Sequence, residues 1–118
     1  IPIYGDGKNI RDWIFVDENC EALYKVLFKG KYGESYNIGS DVEYTNFSLA
    51  KKICYLYKQI TKSDFDFTKL IKFVKDRPGH DLRYSLNVNK IRNDCNWKSS
   101  NNFNNHIKKT IIGIINNK

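Results

Sequence analysis

Two hydrophobic periods alternate along this chain, and the switches between them predict its elements. Ile1 to Tyr4 reads as a short strand, and Gly5-Asp6-Gly7 supplies the positive-φ positions of a turn. Asn9 to Val16 then predicts a second strand of period two. Ile10, Asp12, Ile14 and Val16 share one face of it, and Arg11, Trp13 and Phe15 the other. Asp17 is a good N-cap; behind it Cys20, Leu23, Tyr24, Val26 and Leu27 recur at helical spacing, and Gly30 suits the helix end. Glu34 to Ile38 predicts a brief strand ended by Gly39. Thr45 or Asn46 can cap the next helix, whose Leu49, Ala50, Ile53, Cys54, Leu56, Tyr57 and Ile60 form a wide apolar stripe. Ser63 to Lys69 reads as a surface loop and Ile71 to Val74 as a strand. Pro78-Gly79 forces an irregular turn after it. Asn87 can cap a short helix over Val88 to Cys95, Trp97 is expected to pack back on the core, and Ser99 to Asn102 is polar punctuation. Ile107, Ile111, Ile114 and Ile115 give a last amphipathic helix. The helix stripes are expected to be core. The sum is a small α+β unit of short strands and about four helices, with no internal repeat and no interdomain linker.

Composition narrows the function classes. At 118 residues the chain has the size of one domain, and 41% hydrophobic content allows a modest core and argues against global disorder. The net charge of +7 raises the question of nucleic acid, but the lysines are spread over every segment and no run of four basic residues occurs. Scattered charge of this kind reads as solvated surface, and nucleic acid is not expected as a partner. The same basic balance suits an anionic small molecule such as a nucleotide diphosphate. Cys20, Cys54 and Cys95 are odd in number and far apart, which offers neither a zinc site nor a disulfide framework. His80 and His106 are the only histidines, which excludes a multi-histidine metal site. With no signal peptide and no apolar run long enough to cross a membrane, a cytoplasmic location without membrane contact is expected. The chain opens in mid-strand on Ile1-Pro2-Ile3-Tyr4 and contains no Met, so it is expected to be a fragment.

Two segments carry candidate chemistry: Gly5-Asp6-Gly7-Lys8-Asn9-Ile10-Arg11-Asp12-Trp13-Ile14-Phe15-Val16-Asp17 and Asp76-Arg77-Pro78-Gly79-His80-Asp81-Leu82-Arg83-Tyr84. Each sets an arginine beside a turn or strand edge, where it can leave the core. A guanidinium presents a planar fork of donors that matches phosphate oxygens, so two converging arginines would clamp a diphosphate. Spacing alone does not establish that convergence. Taken singly, an arginine on a strand edge is more often a solvated residue, Asn46 equally suits a helix cap, and His80 a turn. Asp12 and Asp17 read as structural, and Asp81, Arg83 and Tyr84 as local support for the loop.

Together the segments resemble the C-terminal part of extended short-chain dehydrogenase/reductase proteins that act on nucleotide sugars. The first segment is shared broadly in that superfamily. The run from Asp76 to Tyr84 is more specific and resembles dTDP-glucose 4,6-dehydratases; the similarity extends over essentially all 118 residues, including Tyr36-Asn37-Ile38-Gly39 and Trp97-Lys98. The resemblance implies that residues 1–118 are a C-terminal nucleotide-sugar-binding portion without its Rossmann part. It assigns substrate binding to Arg11, Asn46, Asp76, Arg77, Pro78, Gly79 and His80. Arg11 and Arg77 would meet the diphosphate and Asn46 the nucleotide portion; Pro78 and Gly79 would shape the loop, and His80 would add a polar contact. The implied parent is an NAD-dependent lyase that oxidises C4 of dTDP-glucose, eliminates water across C5–C6 and returns the hydride to C6. UDP-glucose is the alternative substrate, although UDP-sugar epimerases and decarboxylases usually lack the second motif. A stand-alone binding module is a further alternative.

No catalytic, cofactor or metal residue is expected in this chain. No G-x-x-G-x-x-G occurs in it. Nor is a tyrosine expected to serve in a Tyr-x-x-x-Lys pair; Tyr55 and Tyr57 precede Lys58 at the wrong distance. NAD would be held by a missing N-terminal domain, supplied in cis or in trans, through which the parent would form a homodimer. Asn87 stands where the family often has Asp, and Ser99 where it has Pro; both positions read as structural.

Overall fold

The computed structural model describes residues 1–100 and 102–117. In chain order the elements are β1 (Pro2–Tyr4), β2 (Ile10–Asp12), α1 (Val16–Lys29), β3 (Glu43–Thr45), α2 (Asn46–Thr61), a 3-10 turn (Phe67–Leu70), β4 (Lys72–Val74), α3 (Asn89–Cys95) and α4 (Phe103–Asn116). This is the expected α+β content of short strands and four helices. β1 and β4 pair in parallel, Pro2 with Lys72, Ile3 with Phe73 and Tyr4 with Val74; β2 and β3 form a second two-stranded sheet. The chain divides into two compact units, one from residues 1–11, 44–84 and 104 onward, the other from 12–43 and 85–103.

In the first unit, Ile3 of β1, Leu49, Ala50, Cys54 and Leu56 of α2, and Ile107 and Ile111 of α4 are buried. Full burial of such aliphatic side chains contributes about 1.5–3 kcal/mol each. Helix α2 begins where the Thr45 hydroxyl accepts the Ser48 amide at 3.0 Å, so the cap is Thr45 and not Asn46. It ends at Lys62, in the left-handed region at φ 51°, whose amide returns to the Lys58 carbonyl. The stretch expected as loop, Ser63 to Lys69, runs into the 3-10 turn instead. Phe67 packs edge-on against Tyr57 with centroids 4.8 Å apart, and Asp66 caps the Thr68 amide at 3.0 Å. The turn after β1 has the expected positive φ at Gly5 (60°) and Gly7 (72°). A Cβ on Gly7 would lie 2.7 Å from Ile3 Cγ2 and 2.8 Å from Phe47 Cβ, so no other residue fits.

The second unit is built on Ala22, Val88, Ile91, Cys95 and Trp97, with Ile14, Val26, Tyr36 and Ile38 packed against them. Three expectations fail here. The second strand stops at Asp12 instead of reaching Val16: the bond from the Trp13 amide to Val42 O closes its pairing with β3, and the Asp12 carboxylate accepts the Ser40 amide (3.0 Å) and hydroxyl (2.6 Å). Beyond this pairing α1 starts at Val16 behind Phe15, with no side-chain cap; Asp17 sits in the first turn, where a carboxylate suits the positive helix end. Second, α1 turns its Ala22–Val26 side to the core. Of the stripe read as core only Val26 packs there; Cys20, Leu23, Tyr24 and Leu27 are exposed, Leu27 by 76%. Third, Glu34 to Ile38 forms no strand. Tyr36 uses its side chain instead, its hydroxyl donating to Asp94 at 3.0 Å and accepting the Lys31 amide at 2.9 Å. Trp97 is buried as expected, but α3 starts one residue late, at Asn89, with Val88 and not Asn87 at its cap and no side-chain capping bond; Asn87 Oδ1 accepts the Asn89 amide at 3.0 Å just ahead of it. Ser99 is buried too, donating to Ser40 O at 3.0 Å; Asn101 lies outside the described residues.

Candidate functional site

All seven sequence-nominated residues fall in the first unit. Arg11 lies on β2, half-buried. Its Nη1 donates to Ile10 O at 2.6 Å and its Nη2 to Asp81 O at 3.0 Å, while its guanidinium carbon sits 4.7 Å from the centroid of the Tyr84 ring. Residues 82–84 run beside β2 to make this possible: the Ile10 amide donates to Leu82 O at 2.7 Å and the Tyr84 amide to Ile10 O at 3.1 Å.

The Asp76–His80 run follows β4 as an irregular turn with Gly79 at φ 68°. Asp76 organises it. Its Oδ1 accepts the Arg77 amide at 2.9 Å and pairs with His80 Nδ1 at 2.7 Å, while its Oδ2 lies where a Gly5 Cβ would come within 2.8 Å. The bond from His80 holds the Asp76 carboxyl below its ordinary pKa against the opposing effect of desolvation, with the Arg77 amide adding to the lowering. A carboxylate only accepts, so Nδ1 carries the proton of this bond, and Nε2 takes no part in it. The Asp76 carboxylate is thus engaged in shaping the loop. Arg77 contrasts with it: the residue is exposed and, among the described residues, its guanidinium makes no hydrogen bond. The hydroxyl of Tyr84 registers both arginines. Its bond to Asp81 raises the phenol above its ordinary pKa, and the positive charges of Arg11 and Arg77 act in the opposite sense.

Asn46 is the first residue of α2; its amide donates to Asn9 O at 3.0 Å, and its side chain takes no part in the cap. Asn9 itself was missed in the sequence. Buried at 5% exposure, it accepts that amide and sends Nδ2 to Asp81 O at 3.2 Å, joining the starts of β2 and α2 to the segment behind His80. A lone polar residue at a strand end gives no signal of such a role. Pro78 is exposed beside Gly79, and neither packs into a core.

Other groups carry less chemistry. Tyr4 and Lys8 do stand four apart, the spacing of a Tyr-x-x-x-Lys pair, which was not expected of any tyrosine here. They flank the glycine turn, where the Gly7 amide donates to Tyr4 O at 3.2 Å and Lys8 pairs with Asp6 at 2.8 Å, so they do not share a helix face. That turn joins strand to strand, and β3 enters α2 through Thr45 with no glycine between; neither junction is the glycine-rich strand-to-helix turn that holds a dinucleotide pyrophosphate. Cys54 lines an apolar hollow of about 290 Å³ with Ile53, Tyr57 and Phe67, and burial pushes its thiol up, away from the reactive thiolate. Cys20, Cys54 and Cys95 form no disulfide. Among the described residues no group of His, Cys, Asp and Glu is placed to hold a metal ion, and no helix is long and apolar enough to cross a membrane.

Comparison with known proteins places this geometry. A dTDP-glucose 4,6-dehydratase of Haemophilus influenzae is 45% identical over 115 residues, covering 94% of this chain and 34% of the relative. Among solved structures, a dTDP-glucose 4,6-dehydratase from Bacillus anthracis in complex with NAD superposes with a TM-score of 0.80 at 38% identity, over 98% of this chain and 34% of that one. The dTDP-glucose 4,6-dehydratase DesIV of Streptomyces venezuelae, also with NAD bound, reaches a TM-score of 0.83 at 33% identity, over 99% of this chain and 34% of its own. The chain therefore spans about a third of the length of the relatives it matches. The family model described as GDP-mannose 4,6 dehydratase matches residues 1–110, and the chain belongs to that family.

Proposed function

We propose that this chain is the substrate grip of a dTDP-glucose 4,6-dehydratase, holding the diphosphate of a nucleotide sugar. The observation that carries the reading is Arg11, held against the Tyr84 ring with donors to spare, together with Arg77, exposed on a loop that Asp76 shapes and acting electrostatically on the same phenol. A diphosphate between two guanidinium forks gains charge-assisted hydrogen bonds from both. Asn46, at the start of α2 and not engaged in its cap, meets the nucleotide portion in this reading, and His80 adds a polar contact. The complementary part, with NAD and the groups for hydride and proton transfer, comes from a further N-terminal domain in cis or in trans, and the complete protein is a cytoplasmic homodimer. This chain alone binds no NAD.

Titration of the purified chain with thymidine diphosphate tests the grip. Binding is expected, and Arg77→Ala should weaken it about tenfold or more, since a hydrogen bond to a charged group contributes about 1.5–3 kcal/mol. No binding by the unaltered chain, or equal binding by the variant, refutes the reading. Titration with uridine diphosphate in parallel reports the preferred base. With NAD and dTDP-glucose added, the chain should yield no 4-keto-6-deoxy product, and measured turnover would overturn the division of labour.

A further inference from the structure

We propose that Tyr84 is a positioning residue for Arg11, bracing the guanidinium with its ring face before an anionic ligand arrives; this rests on the grip reading above. The guanidinium is held in its plane by two carbonyls, Ile10 O at 2.6 Å and Asp81 O at 3.0 Å, and covered on one face by the Tyr84 ring at 4.7 Å. The ring is itself fixed at both ends. The Tyr84 amide donates to the same Ile10 carbonyl at 3.1 Å, and its hydroxyl donates to the Asp81 carboxylate. Asp81 is anchored in turn by Asn9 Nδ2 at 3.2 Å.

A guanidinium carries five N–H donors, and Arg11 spends two of them on these carbonyls. The other donors remain for phosphate oxygens. An arginine left to solvent must give up its side-chain freedom when it binds; one already stacked and bonded has less to lose, so its ligand binds more tightly. The ring does this without building the core, because Tyr84 remains 52% exposed. Its removal should therefore change binding far more than folding. The hydroxyl serves Asp81 and not Arg11, so the ring alone should suffice for most of the effect.

Thymidine diphosphate titration of three variants of the full chain tests this, with thermal unfolding measured alongside. Tyr84→Leu should weaken binding about three- to tenfold, the scale of a cation–π contact. Tyr84→Phe should bind within about twofold of the unaltered chain, and both should unfold near its temperature. Equal binding by Tyr84→Leu overturns the brace, as does equal weakening by both variants, which would assign the effect to the hydroxyl. Arg11→Ala separates the two claims: if it binds normally, the grip reading fails, whatever Tyr84 does. Should Tyr84→Leu fail to fold, or the unaltered chain bind nothing, the Arg11 Nε–H proton resonance decides. An upfield ring-current shift in both the unaltered chain and Tyr84→Phe supports stacking, and its absence from either overturns it.

Discussion

At the scale of single residues, Gly5 shows what local sequence can and cannot announce. Its positive φ was legible, because a glycine pair after a strand reads as a turn. Its contact was not: the Asp76 carboxylate that would meet a Gly5 Cβ at 2.8 Å belongs to a distant part of the sequence. The parallel pairing of β1 with β4 brings the two together, the Gly5 amide donating to Val74 O at 3.0 Å. Gly5→Ala therefore meets two penalties. The left-handed backbone costs about 1–2 kcal/mol for a residue with a Cβ, and the methyl pushes on the carboxylate that holds the Arg77 amide and His80 Nδ1. The expected outcome is a lower unfolding midpoint, together with amide exchange that speeds up at Arg77 more than at residues remote from the turn. A midpoint unchanged within error would contradict it. Arg11 could be nominated by its residue type beside a strand edge, whereas Asn9 could not, since its value lies in two partners, Asn46 and Asp81, that sequence does not bring together.

Helices were read more accurately than strands, for a physical reason. A helix closes its own hydrogen bonds, so its caps and stripe lie within one window. A strand also needs a neighbour, and period-two alternation says nothing about which neighbour exists. Asn9 to Val16 can be read at period two, yet its pairing with β3 closes at the Trp13–Val42 bond and Asp12 turns to Ser40. Glu34 to Ile38 alternates too, but Tyr36 is committed to Lys31 and Asp94. Even the accurate helices left a choice open at α2, between Thr45 and Asn46 as cap. The structure selects Thr45, which makes a paired prediction possible. Thr45→Ala should cost about 1 kcal/mol by removing the acceptor for the Ser48 amide, a fall of a few degrees in the thermal midpoint for a chain this size. Asn46→Ala should change stability by less than about half that, because its side chain makes no capping bond. Urea unfolding of both variants checks the pair, and the reverse order of stability would reassign the cap.

For the whole molecule, no linker was visible because each unit is assembled from separated stretches that alternate along the chain. That division supplies a selective probe. Trp13 and Trp97, the only tryptophans, both belong to the unit of residues 12–43 and 85–103, so tryptophan fluorescence reports on it alone. In that unit Asp94 is held below its ordinary pKa by the Lys31 ammonium and then the Tyr36 hydroxyl, and Glu34 by Lys90. Both groups bind a proton less readily folded than unfolded, so the stability they contribute is present above the unfolded carboxylate values of about 4 and is lost as pH falls below them. Lys31, raised by Asp94, works in the other direction: its contribution holds below about pH 10 and fades as pH rises through its folded value. With a net charge of +7 at neutral pH, each carboxylate protonated in acid also adds to the self-repulsion of the chain. The fluorescence-detected midpoint should accordingly be flat from about pH 5 to pH 9 and fall steeply below pH 4. Asp94→Asn should lower the neutral plateau and make the acid fall shallower, because the group that loses its charge there is already gone. An acid limb equally steep in the variant would show that the Lys31–Asp94–Tyr36 cluster does not govern the acid response of this unit.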